Sequence, residues 1–183
     1  MVRRTLAVAL AGLAILAAGC GGKDEDPAEA WVNGVCSSFT TWADDVQGSV
    51  DSLTAGTLSK DSLQAAADDV KSSTDTLQSD LKDLGAPKTD AGEQAQEQVT
   101  GLTDQLTAGQ QSIESALADA NGVSGTLAAA GVAASTLSAM AAEVTTTFDD
   151  LKKLDPGGEL ETAFEKSSEC EPVREQLDKL NGS

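Results

Sequence analysis

Three cysteines and a surplus of carboxylates are the residues that could do chemistry in this chain, and histidine is missing altogether. Cys20, Cys36 and Cys170 lie far apart and form no C-x-x-C pair. Without such a pair and without histidine, neither a zinc site nor a dithiol redox centre is expected. Aspartates come in three adjacent pairs, Asp44-Asp45, Asp68-Asp69 and Asp149-Asp150. Each pair precedes a hydrophobic residue of a helical seam, which places it on or beside the solvent face. None shows the alternating acids around a glycine that a calcium loop requires. Acid–base catalysis by paired carboxyls would need one of them buried in a cleft, and the pattern gives no sign of one. Serine and threonine abound, yet a hydroxyl nucleophile lacks its commonest base here. Ser59-Lys60 and Lys71-Ser72 are bare adjacencies. The glycines fall at helix ends and build no phosphate loop. The chain is therefore read as a non-enzyme with no catalytic residue, metal or cofactor.

A second kind of chemistry belongs to the N-terminus. Met1 to Arg4 is short and basic, and Thr5 to Ala18 is apolar and uncharged. Fourteen helical residues reach about 21 Å, short of the roughly 30 Å hydrocarbon core. That length suits the hydrophobic region of a signal peptide rather than a permanent span. It ends in Leu16-Ala17-Ala18-Gly19-Cys20, which resembles the lipobox of bacterial lipoproteins. Leucine usually stands three residues before the cysteine; here Ala17 holds that place and Leu16 lies one further back. The resemblance implies a diacylglyceryl thioether on Cys20, cleavage after Gly19 and acylation (such as palmitate) of the new amine. Two or more chains make a stable anchor where one does not. An ordinary secreted protein cut nearby is the competing reading. With Cys20 assigned to lipid, Cys36 and Cys170 remain as an even pair in an oxidising compartment, and a disulfide is expected. Two buried free thiols are the alternative.

The elements that would position these groups are helices. Asp26 and Pro27 read as N-cap and first helical residue, with Glu29 as capping-box partner. Trp31, Val35, Phe39, Trp42, Val46, Val50 and Leu53 then recur at steps of three and four, one apolar seam with heptad spacing. A second helix from about Ser59 to Leu84 repeats Leu63, Val70, Leu77 and Leu84, and Gly85 and Pro87 stop it. A third is expected from Asp90, with Glu93 as its capping-box partner, to Asn121-Gly122. A fourth should cover about Thr126 to Leu154, opening on small residues where two backbones could approach closely. Leu160 and Phe164 mark a short helix, and Val173, Leu177 and Leu180 another. The expected fold is all-α: an antiparallel up-down four-helix bundle with two short C-terminal helices strapped on by the bridge. The implied division is a signal peptide over 1–19, a lipidated cysteine and tether over 20–29, and a bundle over 30–183.

Composition narrows the partners. The chain holds 183 residues, 12 basic and 30 acidic, for a net charge of −18. Removal of Arg3 and Arg4 with the signal leaves 10 basic against 30 acidic residues, or −20. Nucleic acid is excluded as a partner by that sign, and so is a domain lying flat on anionic lipid. Aromatics make up only 3%, so Trp31, Phe39 and Trp42 stand out. They are either the largest core residues or the wall of a pocket for an apolar ligand, the alternative role being a carrier of an apolar small molecule or lipid held between the helices. The arrangement is similar to small Ala- and Thr-rich envelope lipoproteins of high-GC Gram-positive (actinobacterial) species, with Trp31, Cys36 and Cys170 carrying the likeness. That likeness implies a class and a place, the outer face of the cell membrane, but no activity. The expected role is an adaptor or scaffold for an envelope protein partner.

Overall fold

The computed structural model describes residues 26–181. The lipobox and Cys20 lie outside the described residues. Within them the chain is all-helical and contains no strand. The elements are α1 (Pro27–Ala55), α2 (Lys60–Leu84), α3 (Gly92–Ala118), α4 (Gly122–Lys153), α5 (Glu159–Lys166), a 3-10 turn (Ser168–Cys170) and α6 (Glu171–Asn181).

Helix starts follow local chemistry, with two departures. Asp26 Oδ1 accepts a hydrogen bond from Ala28 N at 2.9 Å, and Pro27 occupies the first turn, where its missing N–H is no loss. α1 thus takes up residues 27–29, which the sequence division gave to the tether. α2 opens on a reciprocal cap between Ser59 and Ser62 and stops at Gly85, whose φ of +62° favours glycine. α3 does not begin on the expected Asp90–Glu93 box: its N-cap is Ala91, with no side-chain cap. The chain folds back so tightly after Pro87 that a Cβ on Gly92 would stand 2.1 Å from the Pro87 carbonyl oxygen. A backbone turn, Gly92 N to Thr89 O at 3.0 Å, takes the place of the capping box. α4 starts one turn before the expected Thr126, at Gly122.

Cross-helix contacts define the packing. Trp31 Nε1 donates to Gly85 O at 2.7 Å and Trp42 Nε1 to Thr74 Oγ1 at 3.0 Å, so α1 and α2 run antiparallel. Gln78 Nε2 donates to Thr107 Oγ1 at 3.1 Å and Gln110 Nε2 to Lys71 O at 3.2 Å, which sets α2 and α3 antiparallel too. α3 and α4 pack tightly at Gly109, where a Cβ would meet Met140 Sδ at 2.7 Å. The C-terminal helices are structural members rather than straps on a finished bundle. α6 packs on both α1 and α4, which otherwise barely approach each other, and α5 packs on α1. Val173, Leu177 and Leu180 of α6 are buried, as a three–four seam between two neighbours requires. Phe164 of α5 meets Phe148 of α4 edge to face, centroids 5.8 Å apart.

Candidate functional site

The cysteine pair sits where α1 meets the C-terminal segment. Cys36 and Cys170 are joined by a disulfide, with Cα atoms 4.9 Å apart and a sequence separation of 134. Cys36 is fully buried in the α1 seam, and Cys170 closes the 3-10 turn before α6. Beside it Ser167 Oγ donates to Asn33 Oδ1 at 2.5 Å. Two long-range links therefore seat α6 against the first half of α1.

The aromatic side chains lie inside. Trp31, Phe39 and Trp42 are all buried in the hydrophobic core. Both indole N–H groups have acceptors within the chain, Gly85 O and Thr74 Oγ1. Thr74 Oγ1 in turn donates to Val70 O at 2.8 Å, completing a satisfied polar relay inside the core. Sequence reasoning missed this role of Thr74. Its signal was a hydroxyl standing at a seam position between Val70 and Leu77, where an aliphatic residue would otherwise be expected.

An apolar cleft lies elsewhere, at the opposite end of α1. Val50 and Leu53 of α1, Leu63, Ala66 and Val70 of α2, Ile113 and Leu117 of α3, and Ala133 and Leu137 of α4 line it. None of the three aromatic residues borders it. Its interior offers about 20 Å³ to a water-sized sphere, although the space including its open mouth is about 330 Å³. About 20 Å³ is room for one water molecule, whereas sites for small molecules run to hundreds of Å³.

Near the cleft the surface changes character. Val123 is 80% exposed and Leu127 58% exposed, both on the first two turns of α4. By length and composition α4 is apolar enough to cross a membrane, yet Met140, Val144, Phe148 and Leu151 of the same helix pack into the core. The small-residue opening of α4 is covered on one side: Ala129 is buried, and Ala130 and Ala133 pack against the core. A Cβ on Gly131 would meet nothing within 4 Å.

The acidic pairs are placed on the surface. Asp44, Asp45, Asp68, Asp69 and Asp150 are exposed, and Asp149 is ion-paired with Arg174 across the α4–α6 contact. Asp44, Asp45 and Asp69 share a shallow trough between α1 and α2. Among the described residues no group of three or more Asp, Glu or Cys side chains is placed to hold a metal ion. No protein-family model, no curated protein and no solved structure matches the chain.

Proposed function

We propose that this chain is an exported lipoprotein, anchored through lipid on Cys20 to the outer face of a bacterial membrane, whose helical domain serves as a non-catalytic adaptor for an envelope partner. The observation that carries the adaptor reading is the filled interior. The largest side chains, Trp31, Phe39 and Trp42, pack against their own chain, and the apolar cleft has room for about one water. What such a molecule offers others is its surface. Within this reading α1 to α4 form an up-down frame, and α6 completes it by filling the gap between α1 and α4.

The anchor rests on the lipobox residues and on the position of Asp26. The cap at Asp26 leaves six residues, Gly21 to Asp26, between the acylated cysteine and α1, reaching about 20 Å when extended. The domain therefore works close to the membrane. Two measurements test the reading in separate parts. Mass analysis of the mature N-terminus should show a chain that begins at an acylated Cys20, and Cys20→Ala should release the protein from the membrane. An intact N-terminal methionine, or membrane retention of the alanine variant, would overturn the anchor. Cross-linking in cells should trap an envelope protein on the domain; a chain that cross-links to nothing at native abundance would overturn the adaptor role. The carrier reading requires the helices around the cleft to part. Native mass spectrometry that found an apolar molecule bound would favour it over the adaptor.

A further inference from the structure

α6 ends before the gap it fills does. It packs between α1 and α4, which barely approach each other, with Val173, Leu177 and Leu180 turned inward. It starts beside Cys36, while α5 takes the first turns of α1, where Glu29 shares a groove with Glu159 and Thr162. α6 therefore runs along α1 away from Asp26. Its 11 residues span about 16 Å, to about the level of Gln47, and α1 continues to Ala55.

Both walls record where that cover stops. Cys36, Ala43 and Val50 stand seven apart on one line of α1; the first two are buried and Val50 is half-buried. Phe148, Ala141, Ala134 and Leu127 stand seven apart on α4; the first two are buried, and Ala134 and Leu127 are exposed. Past Asn181 the same gap is the mouth of the apolar cleft. α1 packs on α2, α2 on α3 and α3 on α4, so the side between α1 and α4 is the open one. Val50 and Leu53 line it from α1 and Ala133 and Leu137 from α4, over a floor that includes Leu63 and Ile113.

An occupied seat says what fits its continuation. α6 holds α1 and α4 one helix apart, so a further helix laid end to end with it enters without moving either wall. α6 also shows the stripe required, aliphatic side chains at i, i+4 and i+7. Charge sets the flanks. α1 has no basic residue, and α4 has none before Lys152. Asp51 is exposed near the end of α1, and the last carbonyls of α6 point along the gap with the partial negative charge of a helix C-terminus. The whole chain carries −18, so an acidic occupant is repelled and a second copy is disfavoured.

We propose that the gap beyond Asn181 seats an amphipathic helix of the envelope partner, aliphatic on one stripe and flanked by Lys or Arg. This names the partner's chemistry for the adaptor reading and rests on it. The probe is a labelled synthetic peptide of about 15 residues, enough to hold a helix, with Leu at the α6 spacing and Lys on its flanks. Titrated with the full chain it should bind, and Ala134→Arg, which puts bulk and like charge on the α4 wall, should weaken it about tenfold or more. Ala128→Arg, the same change on another face of α4, should leave affinity within about twofold. Both alanines are exposed, so equal thermal melts separate a lost seat from a lost fold. Replacing the peptide's lysines with glutamate should also weaken binding about tenfold or more.

No binding at about 1 mM peptide, equal loss in the two arginine variants, or equal affinity of the acidic peptide would overturn the proposal. So would Ala134→Arg that abolishes self-association of the chain or its binding to neutral vesicles, since either result gives the gap another occupant. The two readings fail separately. A peptide that does not bind while the cellular cross-link persists removes this seat alone, and a peptide that binds while cells yield no cross-link removes the adaptor alone.

Discussion

At the end of the frame that carries the Cys36–Cys170 bridge, α5 and α6 join the other helices in one interior. α1 is flanked there by α2, α5 and α6, and its seam from Trp31 to Val46 is fully enclosed. At the other end four helix halves meet around a cleft, Val50 and Leu53 are half-buried, and Val123 and Leu127 face solvent. The seams of α1 and α4 keep the same spacing at both ends. What differs is whether something lies over them. Stability should therefore concentrate at the bridged end, and the open end should be the more labile, since local unfolding is cheapest where few apolar contacts are lost.

The contrast can be broken most directly at the bridge. Replacing both Cys36 and Cys170 with serine removes the closure of a loop spanning 134 residues. The chain-entropy model puts that at about 5 kcal/mol, and native bridges commonly give about 2–5 kcal/mol. Denaturant unfolding should show the loss, and amides of α5 and α6 should then exchange as fast as those near the cleft. A matched pair of leucines comes next. Leu160→Ala, at the fully buried start of α5, should cost about 2–5 kcal/mol, whereas Leu53→Ala, half-buried at the cleft, should cost about 1 kcal/mol or less. Equal costs in chemical melts would mean that the two ends are packed alike.

Thr74→Val leaves the Trp42 indole N–H buried without an acceptor and should cost about 1–3 kcal/mol, with a change in tryptophan fluorescence. Thr74→Ser, which keeps the acceptor, should restore most of it. The smallest effect is expected at the open end. The Asn121 side chain donates to Asp119 O but accepts nothing from the first turn of α4, which has no acid. Asn121→Asp supplies a charge at the positive end of the helix and should stabilise by about 0.3–1 kcal/mol, read as a small rise in Tm. The gain should shrink in high salt.

Much of the frame could be read from residues alone, because its signals are local. Asp26-Pro27, Ser59 and Gly85 end or begin helices through bonds made within a few residues, and the three–four spacing of Trp31 to Val46 marks a buried face whichever neighbour buries it. Where the expected start of α3 at Asp90 differed, the difference came from Pro87, five residues from Gly92, whose carbonyl oxygen leaves no room for a side chain. The candidate ligand wall fared otherwise. Aromatic residues on a seam look the same as core and as pocket until the acceptors of Trp31 and Trp42 are known, and those acceptors lie 54 and 32 residues away.

By itself the sequence determined the helices, their apolar faces, the excess of negative charge and the pair of thiols available for a bridge. Those properties depend on residue type and spacing of a few positions, and folding does not alter them. Only the tertiary structure decided which stretch of each face is covered. A heptad stripe records that a helix is wanted along it, but not how long the covering helix is or where it starts. Here the bridge places an 11-residue α6 beside Cys36, and its short reach leaves the far end of α4 bare.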